Sequence, residues 1–125
     1  MPVLSTDLLA FYRDLSQRSF TVVDLETTGP KPPKSRAIEI SVIVASLNDG
    51  IQHQQTHLIN PKAWVPGKIT EITGISQEMV DAATSAEEVW HEYLPLLNQG
   101  VLTAHNISFD YPFIRSEYQR LGVSF

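Results

Sequence analysis

Asp24 and Glu26 stand two residues apart in the run Phe20-Thr21-Val22-Val23-Asp24-Leu25-Glu26. In a strand, residues i and i+2 point to the same face, so the two carboxylates project together while Val23 and Leu25 turn to the other side. Like charges one pleat apart repel, and the arrangement costs free energy unless a cation or a proton lies between them. A lone D-x-E at a strand end also serves as a plain solubilising pair, so these two residues alone do not decide. Thr27-Thr28-Gly29 follow directly, small and hydroxyl-bearing with a glycine, where a backbone can approach a ligand closely. A third carboxylate, Asp110, comes after the short apolar run Val101-Leu102-Thr103-Ala104. If the two runs are neighbouring parallel strands, their carboxyl ends coincide, which is where open α/β sheets bind ligands, and three carboxylates meet there. Hard oxygen donors of this kind suit Mg²⁺ or Mn²⁺, and two such ions about 4 Å apart clamp a phosphoryl group.

The elements that must position these acids can be read from the apolar pattern. Ser5 or Thr6 caps a first helix whose stripe is Leu8, Leu9, Phe11, Tyr12 and Leu15, ending at residues 17–19. Residues 20–26 form a strand stopped by Gly29-Pro30, and the β-branched run 37–47 forms a central strand. Asn48-Asp49-Gly50 turns the chain into a more exposed return strand over 51–59. After an irregular stretch, Ser85 and Glu88 make a capping box ahead of a helix buried through Val89, Trp90, Tyr93, Leu94 and Leu97. Pro95 should kink that helix or end it early. Residues 101–104 read as a short buried strand, and 110–121 as a last helix with Pro112 in its first turn, closed by Gly122. A hairpin makes its strands antiparallel, while a helical crossover returns a parallel strand. The expected class is α/β, a mixed sheet of three antiparallel strands plus one parallel strand, flanked by helices.

Composition narrows the functions. At 125 residues there is room for one domain and none for a (β/α)₈ barrel. With no cysteine, disulfide frameworks and thiolate metal sites are excluded, and a reducing compartment is expected. No apolar run reaches the roughly 20 residues of a membrane span, and no basic-then-apolar leader opens the chain, so a soluble cytoplasmic protein is expected. Nine Lys and Arg against fourteen Asp and Glu give a net charge of −5, which disfavours holding duplex DNA by charge alone. An acidic site that binds phosphates through cations remains open.

Three segments together resemble a known family. Val22-Val23-Asp24-Leu25-Glu26-Thr27-Thr28-Gly29, Ile72-Thr73-Gly74-Ile75 and Ala104-His105-Asn106-Ile107-Ser108-Phe109-Asp110 are similar, in order, to motifs of the DEDD 3′→5′ exonucleases. The branch resembled is that of the proofreading epsilon subunit of bacterial DNA polymerase III and ribonuclease T. The resemblance implies a ribonuclease-H-like fold over residues 20–125, with 1–19 as a helical extension. It also implies two divalent cations, Mg²⁺ or Mn²⁺, and a single-stranded DNA or RNA 3′ end as substrate. Asp24, Glu26 and Asp110 match the metal-binding carboxylates. Thr27 and Thr28 match positions lining the terminal nucleotide, and Gly74 and Ile75 match a segment near the terminal base. His105, Asn106 and Phe109 match the frame of the second motif, with Asn106 expected as a loop-fixing hydrogen bonder and Phe109 as core or substrate wall.

The family's third motif, a helix with a general-base His and a fourth metal-binding Asp, has no counterpart after Asp110, where residues 111–125 contain neither Asp nor His. The resemblance therefore implies a domain incomplete at its C-terminus, weakly active or inactive, with an uncovered sheet face through which it self-associates. The reading of another class is a non-catalytic module that keeps the fold and binds a nucleic-acid end or a DNA polymerase subunit. His53, His57 and His91 read as surface residues, and His105 as structural. Lys31, Lys34 and Arg36 either steer a phosphodiester toward the acids or simply solvate a Pro-rich loop. Trp90 reads as core. Trp64 is either a packing residue or a stacking platform, with packing favoured.

Overall fold

β-Branched residues alternating with polar ones dictate the first three strands, and the computed structural model, which describes residues 5–125, forms them where the pattern places them. Strand β1 is Ser19–Thr27, β2 is Ala37–Ser46 and β3 is Gly50–Asn60. They pair antiparallel in sequence, with Val23 opposite Val42 and Leu25 opposite Ile40. Two further strands complete the sheet: β4 (Thr84–Ser85) and β5 (Val101–Thr103), parallel to β3 and β1 respectively. The order is β4-β3-β2-β1-β5, one strand more than expected. β4 is two residues long and leaves no alternation to read.

Among the described residues, five helices accompany the sheet: α1 (Thr6–Gln17), α2 (Gly67–Thr73), α3 (Gln77–Asp81), α4 (Ala86–Leu97) and α5 (Ile107–Arg120). Val89, Trp90, Tyr93 and Leu97 of α4 and Phe113, Ile114 and Tyr118 of α5 pack with Val23, Leu25, Ile40, Val42 and Val44 in the main core. One face of the sheet is thereby closed. Ile43 and Ala45 of the opposite face are half-buried. Buried polar groups tie the layers: Thr21 Oγ1 donates to the Leu96 carbonyl at 3.1 Å, and the Tyr118 hydroxyl donates to the Trp90 carbonyl at 2.6 Å. A second, smaller cluster of Ile38, Val65, Ile75 and Val80 anchors α2 and α3.

Several expectations need correction. The apolar stripe of α1 is not a core face: no residue of this helix is buried, and Phe11 and Tyr12 are more than half exposed. Ser5 does cap it, accepting from the Leu8 amide. Ser85 caps α4 through the Glu88 amide, and Pro95 does not break the helix, since it lies only two residues from the end at Leu97. β5 is an edge strand rather than a buried one, with Val101 37% exposed, because among the described residues it pairs with β1 alone. α5 starts at Ile107, three residues earlier than expected, so Pro112 falls in its second turn.

The crossover from α4 to β5 runs hard against β1. A methyl group at Gly100 would collide with the Ser19 carbonyl, a backbone atom that cannot swing aside. Gly100→Ala is expected to lower stability by about 1–3 kcal/mol. Urea unfolding measures it, and an unchanged midpoint would contradict the close approach.

Candidate active site

The parallel ladder between β1 and β5 ends at Val22 opposite Thr103, so from Val23 to Thr27 β1 is paired with β2 and not with β5. Asp24 and Glu26 lie on this segment, with their partners Ser41 and Glu39 across the strand pair. The alternation places Val23 and Leu25 in the core and leaves Asp24 exposed and Glu26 half-buried. The chain leaving β5 enters α5 through Asn106, and Asp110 falls in the first turn, where the helix dipole favours an anion. Asp110 is 6% exposed, and the Leu25 amide of β1 is among the groups that favour its charged form. The structure thus brings Asp110 onto the strand that carries Asp24 and Glu26.

These acids sense one another. Burial first, then the charges of Asp24 and Glu39, raise the Glu26 carboxyl above its ordinary value. Burial and then Asp24 raise Glu39 in the same direction. Asp110 is raised by burial and then by Asp24, opposed by the Leu25 amide, its own amide and His105. Glu39 is the acid that motif reading overlooks. Its signal is the polar alternation of Glu39 and Ser41 within an otherwise apolar run, but the register that sets it opposite Glu26 cannot be read from sequence. Among the described residues, no three His, Cys, Asp or Glu side chains converge tightly enough to enclose one ion. The acids are neighbours by charge at different depths, one exposed, two half-buried and one buried, and the expected meeting of three carboxylates is looser than sequence spacing implied.

A carboxyl whose value is raised on folding favours the folded chain when protonated. The contribution of Glu26, Glu39 and Asp110 is full below their ordinary values of 4.5, 4.5 and 3.8, and is lost as pH rises through the raised ones. Asp24→Asn removes the charge common to all three. In chelator it is expected to raise Tm relative to the native protein at pH 7 and to have little effect at pH 4. Calorimetry at both pH values checks this, and equal effects would refute the coupling.

An ion pair fixes the frame around the acids. Arg36, at the entrance to β2, donates from Nε and Nη2 to the Glu117 carboxylate at 2.7 and 2.8 Å, and from Nη1 to the Pro61 carbonyl at 3.2 Å. Glu117 lies seven residues after Asp110, two turns along the same face of α5. Arg36 is therefore structural and no part of a steering cluster, while Lys31 and Lys34 are exposed. Thr28 and Arg36 bond reciprocally through Thr28 N to Arg36 O at 2.8 Å and Arg36 N to Thr28 Oγ1 at 2.9 Å.

The remaining sequence candidates occupy varied positions. Thr27 is buried and its hydroxyl donates to the Gly29 carbonyl at 2.7 Å. Gly74, at φ 78°, ends α2 in the left-handed region, a conformation glycine adopts without strain, and Ile75 is buried in the smaller cluster. His105 and Asn106 are exposed. Asn106 makes no side-chain cap to α5; its backbone carbonyl accepts from Phe109 and Asp110 instead. Phe109 packs at the core edge and also lines a cleft with Pro30, Lys31 and Pro112. His57 is half-buried, its Nδ1 2.8 Å from the Tyr93 hydroxyl, and His53 and His91 are exposed. Burial pushes the Tyr93 hydroxyl up to about 12.

Residues 21–124 match the model of a family described as exonuclease. The chain belongs to this exonuclease family. It is 38% identical over 108 residues to a PolC-type DNA polymerase III of Thermotoga petrophila, covering 86% of this chain and 8% of that protein. It is 36% identical over 109 residues to the 3′-5′ exonuclease DinG of Bacillus subtilis, covering 86% of this chain and 12% of that protein. The chain thus spans about a tenth of the length of these relatives. Among solved structures, E. coli exonuclease I in complex with a dT13 oligonucleotide superposes with a TM-score of 0.76 at 18% identity, over 86% of this chain and 25% of that one. That likeness supports the ribonuclease-H-like fold, a mixed five-stranded sheet flanked by helices. No helix among the described residues is long and apolar enough to cross a membrane.

Proposed function

We propose that the protein removes nucleotides from the 3′ end of single-stranded DNA or RNA, weakly because residues 111–125 supply neither a general-base His nor a fourth Asp, using divalent cations held by Asp24, Glu26 and Asp110. The observation that supports this best is the placing of Asp24 and Glu26 two residues apart at the end of β1, with the buried Asp110 in the first turn of α5, in a chain of the exonuclease family. Repelling carboxylates held on one sheet end are a cost that a hard divalent cation relieves, so the donor set fits Mg²⁺ or Mn²⁺. When bound, two such ions would supply an activated water and stabilise charge on the leaving oxygen.

The chain's own residues do the rest. Asp110, in the first turn of α5, presents its carboxylate from the helix side, and Asp24 and Glu26 present theirs from the strand. Glu39, opposite Glu26, adds negative charge that strengthens cation binding. Thr28, fixed by its paired bonds to Arg36, presents a backbone that does not move when the strand end arrives. Phe109 offers an apolar wall, and Lys31 beside it a positive charge for a phosphate. Gly74 ends α2 so that Ile75 can lock this segment into the smaller cluster, a supporting role.

Excess protein with 5′-labelled single-stranded DNA and Mn²⁺, under single-turnover conditions, tests the reading. A ladder shortening stepwise from the 3′ end is expected, abolished by chelator. Release of label as a 5′ mononucleotide, or an intact strand bound without shortening, would overturn it, the latter in favour of a non-catalytic binding module.

A further inference from the structure

We propose that Trp64 is a stacking platform for a base of the single strand whose 3′ end enters the acidic site, with Lys34 holding an adjoining phosphate; this rests on the exonuclease reading. Trp64 is 75% exposed, the most exposed of the large apolar residues on the described surface, and belongs to neither core cluster. Packing, the role favoured from sequence, is not what the indole does.

The side chain is nevertheless carried on a rigid backbone. Gln77 of α3 grips both neighbours of Trp64: its Oε1 accepts from the Val65 amide at 2.7 Å, and its Nε2 donates to the Ala63 carbonyl at 3.1 Å. Val65 itself is buried. Across from the indole, Thr28, Lys34 and Ser35 form the other wall of a cleft of about 260 Å³. That wall is fixed in turn by the Thr28 and Arg36 bonds, and it begins two residues beyond Glu26. An aromatic face and a cation lining one cleft, on a wall that continues from the strand carrying the acids, are the parts from which single-strand grooves are built. The aromatic takes a base without regard to its identity, and the cation takes the backbone. A flat exposed aromatic in a preorganised frame loses little freedom on binding, which favours affinity.

The test is fluorescence anisotropy of 5′-labelled dT12 with the protein in chelator, so that binding is read apart from cleavage. Trp64→Ala is expected to weaken binding roughly 5- to 150-fold, and Trp64→Phe much less. Lys34→Gln should reduce the salt slope of log K by about 0.7. Trp64→Ala should leave Tm unchanged, since its indole is exposed. Wild-type affinity in Trp64→Ala, or equal loss in Trp64→Phe, would overturn the inference. If shortening of labelled DNA in Mn²⁺ persists alongside that result, the exonuclease reading stands without it. If Trp64-dependent binding is seen and shortening is absent, the stacking surface stands and the exonuclease reading fails.

Discussion

Asp24→Asn is expected to reduce Mn²⁺-dependent shortening of single-stranded DNA by about a thousandfold while leaving the protein folded. The magnitude follows from the charge stabilisation a catalytic cation supplies, several kcal/mol, at tenfold in rate for each 1.36 kcal/mol. Burial raises Glu26, Glu39 and Asp110 most, and the charge of Asp24 is the next cause in all three, so its removal weakens the field they share. The same field makes Asp24 a source of strain in the metal-free chain. Loss of activity should therefore come with equal or higher Tm at neutral pH, a combination that misfolding cannot produce. Rates within tenfold of the native protein would show that Asp24 holds no catalytic cation.

The largest effect on stability is expected at Arg36. Its guanidinium meets a Glu117 that is 2% exposed, with two hydrogen bonds to the carboxylate and a third to Pro61, so Arg36→Ala leaves a buried carboxylate without its partner. Breaking one side of such a pair typically costs about 3–5 kcal/mol, against roughly 5–15 kcal/mol for the whole stability of an ordinary domain. Replacing both partners with apolar residues, Arg36→Met with Glu117→Leu, removes the uncompensated charge and should recover most of the loss. Denaturant unfolding of the single and double variants measures this. A cost below about 1 kcal/mol for Arg36→Ala would show that the pair does not hold α5 in place. Because Asp110 shares that helix, activity in Arg36→Ala should fall further than in the double variant.

Arg36 also marks where sequence stops being informative. Next to Lys31 and Lys34 it reads as one of three loop cations, because the chain displays neighbours in sequence and hides a partner 81 residues away. Asp24 and Glu26 were legible because the period of a strand is two and needs no tertiary context. Glu39 was not, since its position opposite Glu26 depends on the path of residues 28–36. The three long strands follow from apolar alternation, whereas α2, α3 and β4, at seven, five and two residues, are too short to show a period. The stripe on α1 has the right pattern and no core beneath it, and Trp64 has the chemistry of a core residue and stands in solvent. In both, hydrophobicity reports the wish to be covered and not what does the covering.

The most direct measurement is Mn²⁺ binding followed by electron paramagnetic resonance of the free ion, which requires no turnover and no substrate. The native protein should deplete the free signal, and Asp24→Asn with Asp110→Asn should restore it while retaining the native circular dichroism spectrum. A native protein that leaves the Mn²⁺ signal unchanged, or a double variant that binds as tightly as the native chain, would contradict the assignment of these carboxylates as the metal site.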